Sequence, residues 1–216
     1  MRYKAVLFDM DGTVLDTLAD LTNAINHTLS DYGMPLLDKR QVAQYLGNGA
    51  AYLMSRAVPE GTPDALREEM LRAYQPWYDS HCAILTAPYP GIVPLMQALR
   101  EAGVKQAVIS NKQDTAVKQL AAQHFPGLLE TAVGESETVR RKPNPDAVLA
   151  ALREMGVEKR DAVYVGDTEV DLRTAENAGL ACAVVGWGFR TEEQLRAAGA
   201  GHIFQNAAEL RDWLLE

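Results

Sequence analysis

Cysteine is scarce. Only Cys82 and Cys182 occur, with no Cys-x-x-Cys pair and no Cys/His cluster, which excludes a disulfide framework and a zinc site and fits a reducing cytoplasm. Positive charge is short as well: 21 Lys and Arg face 29 Asp and Glu, for a net charge of -8, and no run of Lys or Arg makes a local basic stripe. A polyanion would be repelled, so nucleic acid is not an expected partner. Long apolar runs are missing too. The longest uncharged stretch, Ser80 to Leu99, holds three prolines, a histidine and several hydroxyl side chains, whereas a bilayer span needs about 20 consecutive apolar residues. The opening MRYKAVLFDMDG reaches acids after four apolar residues, which leaves no room for a signal peptide's apolar segment, so export is not expected. His27, His81, His124 and His202 fall in separate segments without ligand spacing. Internal repeats and low-complexity tracts are absent.

What remains is ordinary globular material: 216 residues, 47% hydrophobic and 23% charged, long enough to bury roughly 70% of the unfolded surface without staples. Short β-branched runs recur at Tyr3–Phe8, Val104–Ile109, Leu129–Val133, Ala162–Val165 and Cys182–Val185. Turn residues and helical patterns follow them, such as Ile92, Leu95, Met96, Leu99 closed by Gly103. Alternating strand and helix predicts a doubly wound α/β core with a parallel sheet. From Leu15 to Cys82 the rhythm breaks into three helical patterns: Leu18 to Tyr32, Val42 to Met54, and Leu66 to Trp77, the last opened by Thr62 as cap and Pro63 as first-turn proline. The expected organisation is a core of residues 1–14 and 83–216 with a helical insertion, 15–82, after the first strand. The loop after Thr13 and the Pro88-Tyr89-Pro90-Gly91 return form a hinge pair.

The first strand delivers Asp9 and Asp11, two positions apart, followed by Gly12 and Thr13. Extended geometry would point both carboxylates to one side. At a separation of about 4 Å they repel by roughly 4 kcal/mol at an effective dielectric near 20, so the pair wants a cation or a shared proton. Taken alone, it equally fits a solvated acidic turn. The fourth strand ends in Gly166-Asp167-Thr168-Glu169-Val170-Asp171. Its aspartates could cap a helix or join the first pair around a hard cation such as Mg2+, which takes oxygen ligands. Ser110-Asn111-Lys112 ends the second strand and offers a hydroxyl and backbone amides to a phosphate, or a simple helix cap. In Arg140-Arg141-Lys142-Pro143-Asn144-Pro145 two prolines stiffen the turn beside Lys142.

In this order, Asp-x-Asp-Gly-Thr, Ser-Asn, Lys-Pro and Gly-Asp-x-x-x-Asp closely resemble the haloacid dehalogenase-like hydrolase superfamily over nearly the whole chain. The resemblance implies a Rossmann-like core whose first and fourth strands meet at the topological switch point, and a mobile helical cap. It implies Asp9 as the nucleophile forming an aspartyl-phosphate and Asp11 as general acid and base. Asp9, Asp11 through its backbone carbonyl and Asp167 would hold Mg2+, with Asp171 nearby or water-bridged. Ser110 and Lys142 would grip phosphoryl oxygens, with Gly12, Thr13 and Asn111 completing the phosphate site. Leu46-Gly47-Asn48-Gly49-Ala50, Thr86 to Gly91 and Gly186-Trp187-Gly188 look like the phosphoglycolate phosphatase branch. There Gly47, Asn48 and Gly49 would leave room for a small substrate and present amides to its carboxylate.

The expected activity is thus Mg2+-dependent hydrolysis of a small anionic phosphate ester, 2-phosphoglycolate foremost, by a cytoplasmic monomer or homodimer without nucleic-acid or membrane partners. Two other readings share parts of the pattern. A phosphomutase of the β-phosphoglucomutase type has the same core motifs but carries a cap arginine that Asn48-Gly49-Ala50 lacks. A receiver-like phospho-acceptor needs neither the insertion nor Asp11.

Overall fold

The computed structural model describes residues 2–216; Met1, which opens the expected core segment, lies outside the described residues. β1 (Ala5–Phe8) enters a turn that leads to β2 (Leu15–Asp16) and then four helices: α1 (Leu18–Asp31), α2 (Lys39–Tyr45), α3 (Ala50–Ala57) and α4 (Asp64–His81). β3 (Ala87–Pro88) brings the chain back. The alternation α5 (Ile92–Glu101), β4 (Lys105–Gln113), α6 (Asp114–His124), β5 (Thr131–Glu135), α7 (Asp146–Met155), β6 (Ala162–Gly166), α8 (Glu169–Ala178), β7 (Ala181–Val185), α9 (Glu192–Ala197), β8 (Ile203–Phe204) and α10 (Ala207–Leu215) follows.

The large sheet has the order β5-β4-β1-β6-β7-β8 and its ladders are parallel. The first expected strand therefore lies between the second and the fourth, at the switch point. Residues of β1 are buried on both faces, as parallel strands covered by crossover helices must be. Their side chains alternate: Val6, Phe8, Val108, Val163 and Val165 join one apolar cluster, and Ala5, Leu7, Ala107, Ala162 and Tyr164 join another beneath α7 and α8.

Two expectations are corrected here. The pattern Val42 to Met54 is two helices, α2 and α3, interrupted at Leu46–Gly49, where Gly49 caps α3 at φ 82°. Pro63 is the N-cap of α4 rather than a first-turn residue, and Pro76 lies inside that helix. The two-residue strands β2, β3 and β8 were too short to leave a periodicity.

The insertion is tied where it leaves and rejoins the core. β2 and β3 pair antiparallel, Leu15 opposite Pro88 and Asp16 opposite Ala87. Beside them the buried carboxylate of Asp20 on α1 accepts from the amides of Leu85 and Thr86 and from the Thr86 hydroxyl. Among the described residues, no helix is long and apolar enough to cross a membrane.

Candidate active site

Past Phe8 the chain turns sharply, the Met10 carbonyl accepting from the amides of Thr13, Val14 and Leu15. Beyond that turn Asp9 and Asp11 face different partners. Each has its own ammonium: Lys142 Nζ lies 2.8 Å from Asp9 Oδ1, and Lys112 Nζ lies 3.0 Å from Asp11 Oδ1.

Asp9, Asp167 and Asp171, all buried, each offer a carboxylate oxygen within 4.8 Å of the others. Asp167 accepts from the Thr13 hydroxyl at 2.9 Å and from the Phe189 amide at 2.7 Å. Glycine is what lets the backbone come so near. A Cβ on Gly12, whose φ is 86°, would sit 2.4 Å from Asp167 Oδ2, and one on Gly188 would sit 2.2 Å from it. Asp171 is engaged on both oxygens, Oδ1 by Lys142 at 2.8 Å and Oδ2 by the amide and hydroxyl of Thr168. It caps α8 through Oδ2 and turns Oδ1 toward the cluster.

Burial first, then the charge of Asp171, push the Asp9 carboxyl well above the usual carboxylate range, against the pull of Lys142. The same two causes push Asp167 up to about 7. Desolvation works against the Lys142 ammonium, but the charges of Asp171 and Asp9 outweigh it and raise its pKa. Three buried carboxyl groups beside one ammonium, two of them resisting ionisation, form a donor set of hard oxygens that suits a divalent cation such as Mg2+.

The three donors of Lys142 are taken by Asp9, Asp171 and the Tyr164 hydroxyl at 3.0 Å. The expected cation triplet thus disperses: Arg140 pairs with Asp146, Arg141 with Glu135, and only Lys142 turns inward. Asn111 knits the loops together, accepting from the Lys142 amide and donating to the carbonyls of Lys142 and Gly47.

A cavity of about 50 Å³ lies over these groups, lined by Asp9, Asp11, Ser110, Asn111 and Lys112 from below and by Leu46, Gly47, Gly49, Tyr74 and Tyr78 from the insertion. Of the expected substrate residues, Asn48 is not among its lining; its carbonyl accepts from Arg141. The Thr13 hydroxyl is occupied by Asp167. A Cβ on Gly49 would meet the Asn111 carbonyl at 3.2 Å, so that glycine also serves the close seating of α3 on the core. Arg56 is exposed and lies over the Tyr45 ring, away from the cavity lining.

Four residues escaped the sequence reading. Lys112 stood in the Ser110-Asn111-Lys112 motif without a role. Tyr78 and Tyr164 belonged to no motif. Arg190, 7% exposed, pairs with Glu169 and donates to the carbonyls of Ala43 and Leu46, clamping the end of α2.

The sequence profile of haloacid dehalogenase-like hydrolases matches residues 6–185. The chain belongs to the haloacid dehalogenase-like hydrolase family. It is 32% identical over 214 residues to phosphoglycolate phosphatase 1 of Pseudomonas aeruginosa, covering 96% of this chain and 78% of that one. It is equally, 32%, identical to the N-acetylmuramic acid 6-phosphate phosphatase of the same organism over 222 residues, 99% and 96% of the two chains. A crystal structure from Lactobacillus delbrueckii subsp. bulgaricus, assigned provisionally to phosphoglycolate phosphatase, superposes with a TM-score of 0.95 at 36% identity, covering 99% of each chain. Like other haloacid dehalogenase-like hydrolases named phosphatases, the chain is a phosphoric monoester hydrolase.

Proposed function

We propose that this chain hydrolyses 2-phosphoglycolate, with Mg2+ held by Asp9 and Asp167, the Asp11 carbonyl completing the protein's share. Relatives of equal identity are named for a small ester and for a phosphorylated sugar acid, so the choice rests on the cavity. Leu46, Gly47 and Gly49 of the insertion stand close over Asp9, Ser110 and Lys112 and narrow it. So narrow a mouth favours a small ester over a bulky amino sugar.

The residues divide the chemistry. Lys142 and the Met10 amide both engage Asp9 Oδ1, the latter at 2.7 Å. Asp9 therefore attacks phosphorus through Oδ2, forming the aspartyl-phosphate as the ester bond to the glycolate oxygen breaks. Asp11 gives that leaving oxygen its proton. Asp11 then takes a proton from a water that attacks the same phosphorus, releasing inorganic phosphate and restoring the Asp9 carboxylate. When bound, Mg2+ supplies positive charge to the phosphoryl oxygens and offsets their repulsion from Asp9. Ser110 and the backbone around it bind phosphoryl oxygens, while Lys142, held by Asp171 and Tyr164, keeps Asp9 oriented. Residues 15–82 act as a cap over the core of 1–14 and 83–216. They open on the β2/β3 connections for the substrate and close to exclude water.

The test is steady-state turnover on a panel of small esters. EDTA should abolish hydrolysis of 2-phosphoglycolate, Mg2+ should restore it, and N-acetylmuramic acid 6-phosphate should be a far poorer substrate. Faster turnover of the sugar phosphate, or labelling that stops after one equivalent, would overturn the reading.

A further inference from the structure

Lys142 is buried behind Asp9 with its donors spent and does not line the cavity. The cation that does line it is Lys112, the only one among the described residues there. Its side chain is 4% exposed, so its charge must be compensated where it sits. The Tyr78 hydroxyl takes one of its three N–H groups, Asp11 Oδ1 lies 3.0 Å away as an ion pair without hydrogen-bond alignment, and the ammonium also rests 4.4 Å from the Tyr78 ring centroid. At least one donor is left over. Tyr78 accepts from Lys112, so its own O–H proton remains to be given away. Burial and the charge of Asp11 raise the phenol's pKa, which keeps that proton in place. An ammonium and a phenol, each with at least one unspent donor, therefore stand together on a small cavity that Leu21, Leu46, Leu53 and Tyr74 also line.

The irregularity of β4 is what brings Lys112 there. Its ladder with β5 runs regularly to Ile109 opposite Val133 and resumes at Gln113 opposite Glu135, so Ser110, Asn111 and Lys112 occupy a bulge. A bulge re-aims side chains that regular pairing would alternate across the sheet. Tyr78 comes from the far side, on α4 of the insertion, so the pair exists only when insertion and core are together.

We infer that Lys112 and Tyr78 form the subsite that recognises the second anionic group of the substrate, a carboxylate, while Asp9 and Ser110 receive the phosphoryl group. This rests on the proposed action on 2-phosphoglycolate and names what selects it. A neutral ester would leave a buried ammonium donor unmatched, and that is a strong ground for rejection.

The experiment compares 2-phosphoglycolate with 2-hydroxyethyl phosphate, an ester of matched size that lacks the carboxylate, in the wild type, Lys112→Gln and Tyr78→Phe, each checked by thermal melting. The readout is the ratio of kcat/KM for the two esters, in which any general damage to Asp11 cancels. The ratio should favour 2-phosphoglycolate in the wild type. It should fall on the order of 100-fold in Lys112→Gln and roughly tenfold in Tyr78→Phe. If Lys112→Gln does not fold, Tyr78→Phe alone decides. A ratio unchanged by the variants would overturn the subsite while leaving the phosphatase reading intact. A wild-type ratio near one would remove the proposed substrate and the subsite with it.

Discussion

Asp9 carries the most tension of any residue in the site, because it is buried beside two other carboxylates and answered by one ammonium. Asp9→Asn keeps the shape and removes a charge. Hydrolysis should drop by about 10³-fold or more, since an amide cannot accept the phosphoryl group. The metal-free melting temperature should hold or rise, and the rise in melting temperature on adding Mg2+ should shrink. Retained turnover would sink the covalent mechanism. At the same scale the sequence showed acids and lysines but not their partners. Asp9 and Asp11 read as one repelling pair, yet each ended beside a different lysine, one from the β4 bulge and one from the turn before α7.

Among the elements, the break between α2 and α3 depends most on the core. Its carbonyls are taken by Arg190, Asn111 and Arg141, none of them from the insertion. Arg190→Ala would strip donors from Ala43 and Leu46 and leave Glu169 unpaired, destabilising the fold by about 2–3 kcal/mol. Urea unfolding would measure that loss, and hydrogen exchange should quicken first at Leu46 to Gly49. Arg190→Lys should not restore stability, because a point charge cannot reproduce the fork. A urea midpoint unchanged in Arg190→Ala would show that the clamp contributes nothing.

For the molecule as a whole, the acid cluster ties stability to pH and metal together. Asp167 is raised to about 7 in the folded protein against an ordinary value of 3.8. A raised carboxyl contributes stability that is present below about 4 and lost as pH climbs through about 7. Metal-free protein should therefore lose a few kcal/mol between those limits from this group, an order-of-magnitude figure. Mg2+ should restore more at pH 8 than at pH 5, where protons compete for the same oxygens. Melting curves at the two pH values with and without Mg2+ would show it; a thermal shift independent of pH would count against Asp167 as a ligand.

Along the chain, β-branched runs, helical spacing and the order of four short motifs were enough to place the doubly wound core, the helical insertion and the family, because these depend on local periodicity and on residues near one another in sequence. The resemblance grouped Asp9, Asp11, Asp167, Asp171 and Lys142, of which Asp9, Asp167, Asp171 and Lys142 lie together while Asp11 sits beside Lys112. Periodicity could not distinguish Tyr78 or Tyr164 from any other apolar-face tyrosine, nor show that Lys112 turns inward. Those facts arise from a bulge in β4 and from α4 folding back over the sheet. A side chain's partners are set by packing between segments tens of residues apart, and it was packing that joined Lys112 to Tyr78.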